Sequence, residues 1–97
     1  MTNQDVDRLA ELLVKAGTAH HAYEQEELKG EYDENWPLWY AAFLVEEGIA
    51  ALIKPPPGLQ ELSGELARIT KEHKAQGEDK DWNRFVADAL AIRYLKQ

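Results

Sequence analysis

The sequence contains no cysteine and only one serine, Ser63. Without cysteine, neither a disulfide framework nor a thiolate nucleophile or metal ligand can form. Ser63 has no histidine or aspartate at a recognisable motif spacing, so nothing supports a serine-nucleophile triad. Glycine patterns that cradle phosphate are absent as well. These absences disfavour an enzyme, and we assign no catalytic residue and no cofactor from the sequence.

Basic side chains are scarce: 11 Lys and Arg stand against 18 Asp and Glu, which gives a formal net charge of -7. Nucleic acids and anionic membranes attract proteins through clustered Lys and Arg, so both are disfavoured as partners. Acidic residues are densest over residues 24–34, where Lys29 is the only basic side chain. Such a segment is typical of a solvated surface, and an electrostatic partner there would be cationic.

Long apolar runs are also missing, since no stretch approaches the roughly 18 apolar residues of a membrane-spanning helix. Residues 1–17 are acidic and amphipathic, whereas a secretion signal has a basic region followed by an apolar run. We therefore expect a cytoplasmic protein. The length of 97 residues limits the chain to one hydrophobic core, so we expect a single helical domain over residues 1–97.

Apolar residues recur at three- and four-residue intervals through most of the chain, and no strand signal of comparable strength appears. The first apolar stripe predicts a helix over about residues 3–28, with Gly30 as its cap and a bend near Gly17. A second helix is predicted over about residues 36–45, because Pro37 suits a first helical turn. This helix is apolar nearly all round, which predicts a central helix contacted on several sides.

Three consecutive prolines in residues 54–58 predict a stiff loop in the second half of the chain. A third, half-exposed helix is predicted from there to about Gly77, with His73 facing solvent. Asp79 or Asp81 can cap a last helix. The predicted fold class is all-α, a compact bundle of about four helices with a central apolar helix. Side chains expected in the core include Trp36, Leu38, Trp39, Phe43, Trp82, Phe85 and Ile92.

Two adjacent histidines on the first helix lie close to acidic side chains. His20 and Glu24 are one turn apart and share a helix face, so they are the candidate metal ligands. A zinc site generally needs three or four protein ligands, and the only other histidine in the chain is His73. The alternative is that one of His20 and His21 packs at the edge of the core against a polar partner such as Asp33, while the other faces water.

The most distinctive string in the sequence is DENWPLWYA, over residues 33–41. Its aromatic side chains could simply fill the core, as they do in many small proteins. Together with Tyr32 they could instead line an apolar cleft that one of the histidines closes. The candidate ligand-binding residues are His20, His21, Asp33, Trp36, Trp39 and Tyr40.

The W-P-x-W-Y-A helix start, preceded by an aspartate and by a histidine-bearing helix, resembles an uncharacterised family of small bacterial proteins, cyanobacterial ones among them. The resemblance covers about residues 20–48. It implies a helical fold and a standalone cytoplasmic protein, and it implies no reaction, cofactor or ligand. The matching positions are His20 or His21, Asp33, Trp36, Pro37, Trp39 and Tyr40.

Two functional hypotheses follow. Apolar residues over 38–53 are generous for the helices available to cover them, so the leading hypothesis is a non-enzymatic module that binds a protein partner or forms a homo-oligomer. The alternative is a small-ligand or metal-binding protein with its site at His20, His21, Asp33 and Trp36.

Overall fold

The computed structural model describes residues 3–53, 57–77 and 81–94, and within these ranges it is helical without β-strands. The α-helices are α1 (Asn3–Glu26), α2 (Trp36–Glu46), α3 (Leu59–Ala75) and α4 (Trp82–Tyr94), and a short 3₁₀ turn follows α2 at Ile49–Ala51. The predicted all-α bundle of about four helices is confirmed. No helix in the described part of the chain is long and apolar enough to cross a membrane.

The four helices pack in a closed square. The chain order gives three of the packed pairs, α1 with α2, α2 with α3 and α3 with α4, and α4 closes the square against α1. The radius of gyration is 13.1 Å, which agrees with roughly 13 Å for a compact domain of this length. The largest fully buried side chains are Leu9, Leu13, Leu44, Ile49, Ile53, Leu62, Leu66, Ile69, Val86 and Leu90.

The helix ends follow local signals that the sequence carries. α1 runs unbroken through Gly17 and ends at Glu26, slightly earlier than predicted. Gly30 adopts a φ of 86°, and its N–H donates to the carbonyl of Glu24 at 2.8 Å, which closes the turn against the helix end. Asp81 caps α4, because its carboxylate accepts the N–H of Arg84 at 3.1 Å. The other predicted cap, at residue 79, and the prolines at 55 and 56 lie outside the described residues.

The sequence predicts that the large aromatic side chains form the centre of the core. In the structure they do not. The fully buried hydrophobic positions are aliphatic, and Trp36, Phe43, Trp82 and Phe85 pack half-buried around them. Two further expectations are wrong, because Leu38 is 38 % exposed and Ile92 is 61 % exposed. Each lies on a helix face that no neighbouring helix covers, a matter of tertiary placement rather than of helical periodicity.

The expectation that His73 faces solvent is also wrong. His73 is only 6 % exposed, and its ring centroid lies 5.0 Å from that of Phe85 on α4. Its position explains this burial, since it continues the line of Leu62, Leu66 and Ile69 along the inner face of α3. The charged neighbours in sequence therefore concealed a helix-periodic core position.

Candidate functional site

A buried histidine–aspartate pair joins α1 to the turn before α2. His20 is 8 % and Asp33 9 % exposed. Nε2 of His20 lies 3.0 Å from Oδ2 of Asp33, and Nδ1 lies 3.9 Å from a carboxylate oxygen of Glu24 on the next turn of α1. The imidazole therefore sits between two carboxylates. The tautomer with a proton on Nε2 donates the hydrogen bond to Asp33.

Asp33 reaches His20 because the turn around it is built on its own side chain. Its Oδ1 accepts the N–H of Asn35 at 2.9 Å, the two-residue spacing of an Asx turn. Its carbonyl accepts the N–H of Trp36 at 3.2 Å, and its own N–H faces Glu24 Oε2 at 3.4 Å. Both carboxylate oxygens therefore have partners, and the pair fixes where α2 begins.

The second histidine is placed quite differently. His21 is exposed, so one histidine packs at the core edge against Asp33 while its neighbour faces water, which confirms that alternative. His20 and Glu24 supply only two donors. Across residues 3–53, 57–77 and 81–94 no group of three or more His, Asp or Glu is placed to hold a metal ion. The structure therefore gives the metal hypothesis no support.

Aromatic rings surround the His20 imidazole on its other sides. The ring centroid of Trp39 lies 4.9 Å away in an edge-on arrangement, that of Tyr40 lies 5.3 Å away, and that of Tyr23 lies 6.0 Å away. Trp39 also stacks on Phe43, with centroids 5.6 Å apart and planes 12° from parallel. Trp39 therefore contacts the rings of both His20 and Phe43.

A cleft of about 220 Å³ opens beside this pair, where α1, α2, α3 and α4 approach one another. Trp36 and Tyr40 come from α2, and Trp82 comes from the first turn of α4. The three rings meet pairwise at 83°, 73° and 79°, with centroids 5.4, 5.9 and 5.5 Å apart. They therefore stand roughly at right angles to one another. The described residues that line it are His20, Tyr32, Trp36, Tyr40, Thr70 and Trp82.

The cleft has a polar edge as well as apolar walls. Nε1 of Trp82 donates to Oγ1 of Thr70 at 3.0 Å, which fixes the indole across the α3–α4 junction. The hydroxyl of Tyr40 lies against α1 at Gly17, where a Cβ would come within 3.4 Å of it. Burial raises the pKa of Tyr40 above the ordinary value, and the charge of Glu24 raises it further. The phenol therefore stays neutral and keeps its proton to donate.

The structure brings only some of the predicted ligand-binding residues to the cleft. His20, Trp36 and Tyr40 line the cleft. Asp33 is hydrogen-bonded to His20 but does not line it, and the described lining does not include Trp39 either. His21 is exposed to solvent and does not line the cleft either. Sequence reasoning missed Thr70 and Trp82, because nothing in the helix periods shows that α3 and α4 meet α2 at this end.

A second surface feature lies on the outer side of α2. Leu38, Ala42 and Val45 are exposed and follow one another along a single helix face. Val45 is 47 % exposed, and Leu59, the first residue of α3, is 41 % exposed. We call these four residues the outer apolar face. A groove of about 340 Å³ runs through it, lined by Ala42, Val45, Glu46, Ile49, Ala50, Pro57 and Leu59.

Comparison with known proteins gives no match to a family model, to a curated protein or to a solved structure. The fold and the cleft define the class on their own: a small acidic four-helix bundle with an aromatic cleft at one end. The resemblance of residues 20–48 to a family of small bacterial proteins stays a prediction.

Proposed function

We propose that this protein binds a small molecule in the aromatic cleft. One observation carries the proposal: three aromatic rings line the cleft, and the buried His20–Asp33 pair lies at one edge of it. The three rings are those of Trp36, Tyr40 and Trp82. Small-ligand sites combine largely apolar linings with a few placed polar groups. The cleft beside these rings has a volume of about 220 Å³ and is open to solvent.

The supports of the cleft favour a preformed site. Asp33 orients His20 from outside the cleft, and the lining residue Thr70 orients Trp82, so two ring side chains of the lining are held by hydrogen bonds. Pre-ordered side chains lose less conformational entropy when a ligand arrives. The volume lies just below the lower end of the roughly 300–1,000 Å³ typical of drug-sized ligands, so the ligand is small.

The proposal is tested by screening a panel of small cationic, anionic and neutral aromatic compounds against protein carrying ¹⁵N-labelled tryptophan. The three indole N–H signals provide an internal comparison, because Trp36 and Trp82 line the cleft and Trp39 is stacked on Phe43. A ligand in the cleft shifts the signals of Trp36 and Trp82 saturably and that of Trp39 much less. If no compound does so, the proposal is wrong.

A matched pair of variants locates the binding. Tyr32 is 73 % exposed, so Tyr32→Ser removes a lining side chain at little cost in stability. Ile92 is 61 % exposed and does not line the cleft, so Ile92→Ser is the control. Binding in the cleft is weakened by the first change and unaffected by the second. Equal effects of both changes would contradict it.

The outer apolar face supports a second candidate function, self-association or docking of a protein partner. Contiguous apolar surface is typical of interaction sites. Two copies joined through this face would cover Leu38, Val45 and Leu59, which the bundle itself leaves 38, 47 and 41 % exposed. This candidate is independent of the cleft, because the described linings of the cleft and of the groove share no residue.

Light scattering coupled to size exclusion tests self-association. If the chain forms a dimer through the outer apolar face, Val45→Glu shifts it to the monomer, because a charge in the interface loses its solvation. Val14 is 51 % exposed on α1 and lies outside that face, so Val14→Glu is the matched control and leaves the dimer intact. A strict monomer at high protein concentration, with no protein partner co-purifying, would remove this candidate.

A further inference from the structure

The described lining of the cleft includes four aromatic side chains and the imidazole of His20, and it includes no Lys or Arg. Aromatic rings present negative faces and attract cations within about 6 Å of the ring centroid. The walls of this cleft stand roughly at right angles to one another. A compact cation in the cleft beside these rings would contact more than one ring at once.

Acidic side chains close to the cleft add to its attraction for a cation. Glu24 and Asp33 both approach His20, one at each ring nitrogen. The charge of Glu24 reaches the hydroxyl of Tyr40, where it helps to raise the pKa of the phenol. The segment that carries the lining residue Tyr32 is acidic on both sides, and the chain as a whole has a net charge of -7. An anion would therefore meet unfavourable electrostatics at this end of the bundle.

The hydrogen bonds of the site distinguish among cations. A primary ammonium has three N–H donors and needs acceptors for them. The described lining of the cleft includes no carboxylate, and the oxygens of Asp33 already accept hydrogen bonds from His20 and from the N–H of Asn35. A quaternary ammonium needs no acceptors, since its charge is spread over methyl groups that pack directly on aromatic rings.

We infer that the ligand of the aromatic cleft carries a small quaternary ammonium group, held in the cleft against the rings of Trp36, Tyr40 and Trp82. This inference rests on the proposed function and names its ligand class. The acidic surroundings draw the cation in, and the rings select against a neutral molecule of the same shape.

Choline and 3,3-dimethylbutan-1-ol are suitable probes, because they have nearly the same shape and differ in the charge at the branched centre. Calorimetric or tryptophan-fluorescence titrations at matched ionic strength are expected to show choline binding about tenfold tighter, the ratio expected for a partly desolvated cation–π site. Free Nε-trimethyllysine serves as a second cationic arm. Tighter binding of choline would indicate a free solute, and tighter binding of trimethyllysine would indicate a methylated side chain.

Two variants separate charge recognition from shape. Tyr32→Leu keeps apolar bulk at an exposed lining position but removes the aromatic face. Glu24→Gln keeps an oxygen that can accept from the Asp33 N–H but removes the charge. Both are expected to weaken choline binding severalfold and to leave the neutral alcohol unchanged. Ile92→Ser is again the control and changes neither affinity.

The possible failures are distinguishable. If the alcohol or a neutral aromatic probe shifts the indole signals of Trp36 and Trp82 while choline does not, the ammonium inference is overturned and the cleft remains a ligand site. Equal affinities of choline and the alcohol overturn it in the same way. If no probe shifts those signals, both the inference and the proposed function fail.

Discussion

Replacing Asp33 with alanine is the perturbation that most directly probes how the cleft is built. The change removes the acceptor of the His20 hydrogen bond at 3.0 Å and the acceptor of the Asn35 N–H at 2.9 Å. Leaving a buried imidazole donor unpaired costs about 1–3 kcal/mol, and losing the turn bond costs about 1 kcal/mol more. We therefore expect Asp33→Ala to lower the free energy of unfolding by about 2–4 kcal/mol, a large part of the roughly 5–15 kcal/mol available.

Urea unfolding followed by far-UV circular dichroism measures this loss. The matched control is Asp88→Ala, because Asp88 is a carboxylate with 46 % side-chain exposure that faces Arg84 across 3.6 Å. An exposed pair of that kind contributes at most about 0.5–1 kcal/mol. If Asp33→Ala costs no more than the control, the pair does not organise the turn, and the account of the site is wrong.

Two further variants assign the loss to particular bonds. Asp33→Asn retains an Oδ1 that accepts the Asn35 N–H, so it preserves the Asx turn while removing the charge beside His20. We expect it to cost less than the alanine variant. A double-mutant cycle of His20→Ala with Asp33→Ala is expected to give a coupling energy of about 0.5–3 kcal/mol. Simple additivity would show that the two side chains do not interact.

Three other predictions concern the surroundings of the cleft. Gly17→Ala is expected to raise the free energy of unfolding by about 0.5–1 kcal/mol, because Gly17 is inside α1. The added Cβ would meet the Tyr40 hydroxyl at 3.4 Å, which is an ordinary contact. Urea unfolding checks this prediction, and a lower free energy of unfolding would contradict it. Thr70→Val is expected to cost about 1 kcal/mol and to shift the Trp82 indole signal, whereas Thr70→Ser keeps the acceptor and changes little. The folded protein holds the Tyr40 proton more tightly than the unfolded chain does, because the pKa of Tyr40 is raised in the folded state. Its contribution to the free energy of unfolding is therefore complete below the ordinary tyrosine pKa of 10.0 and is lost as pH rises through the raised pKa. Tyr40→Phe should therefore flatten the alkaline loss of stability seen in urea unfolding, and an unchanged slope would contradict this.

The helices themselves could be predicted from the sequence, because their signals are local. The stripe of apolar residues on α1 and the proline at the start of α2 determine the elements with little help from the rest of the chain. The cap from Asp81 was also predictable for this reason. His73 was not, because its charged neighbours masked a position that continues the buried line of α3.

The candidate site could be predicted only in part. His20, Trp36 and Tyr40 could be named as candidates from the sequence, because they belong to the histidine pair of α1 and to the aromatic string at the start of α2. Trp82 and Thr70 reach the same cleft only because α4 packs against α1 and α3. The exposure of the outer face of α2 likewise depends on which sides its neighbours cover, which an all-apolar helix does not reveal.

The central claim is that a small quaternary ammonium group binds in the cleft lined by Trp36, Tyr40 and Trp82. Intermolecular nuclear Overhauser effects between choline and the labelled protein test it most directly. We predict effects from the N-methyl protons to the rings of Trp36 and Trp82, and none to Trp39, which is stacked on Phe43. Effects confined to Trp39 or to residues of the outer apolar face, or no effects at all under saturating choline, would contradict the account.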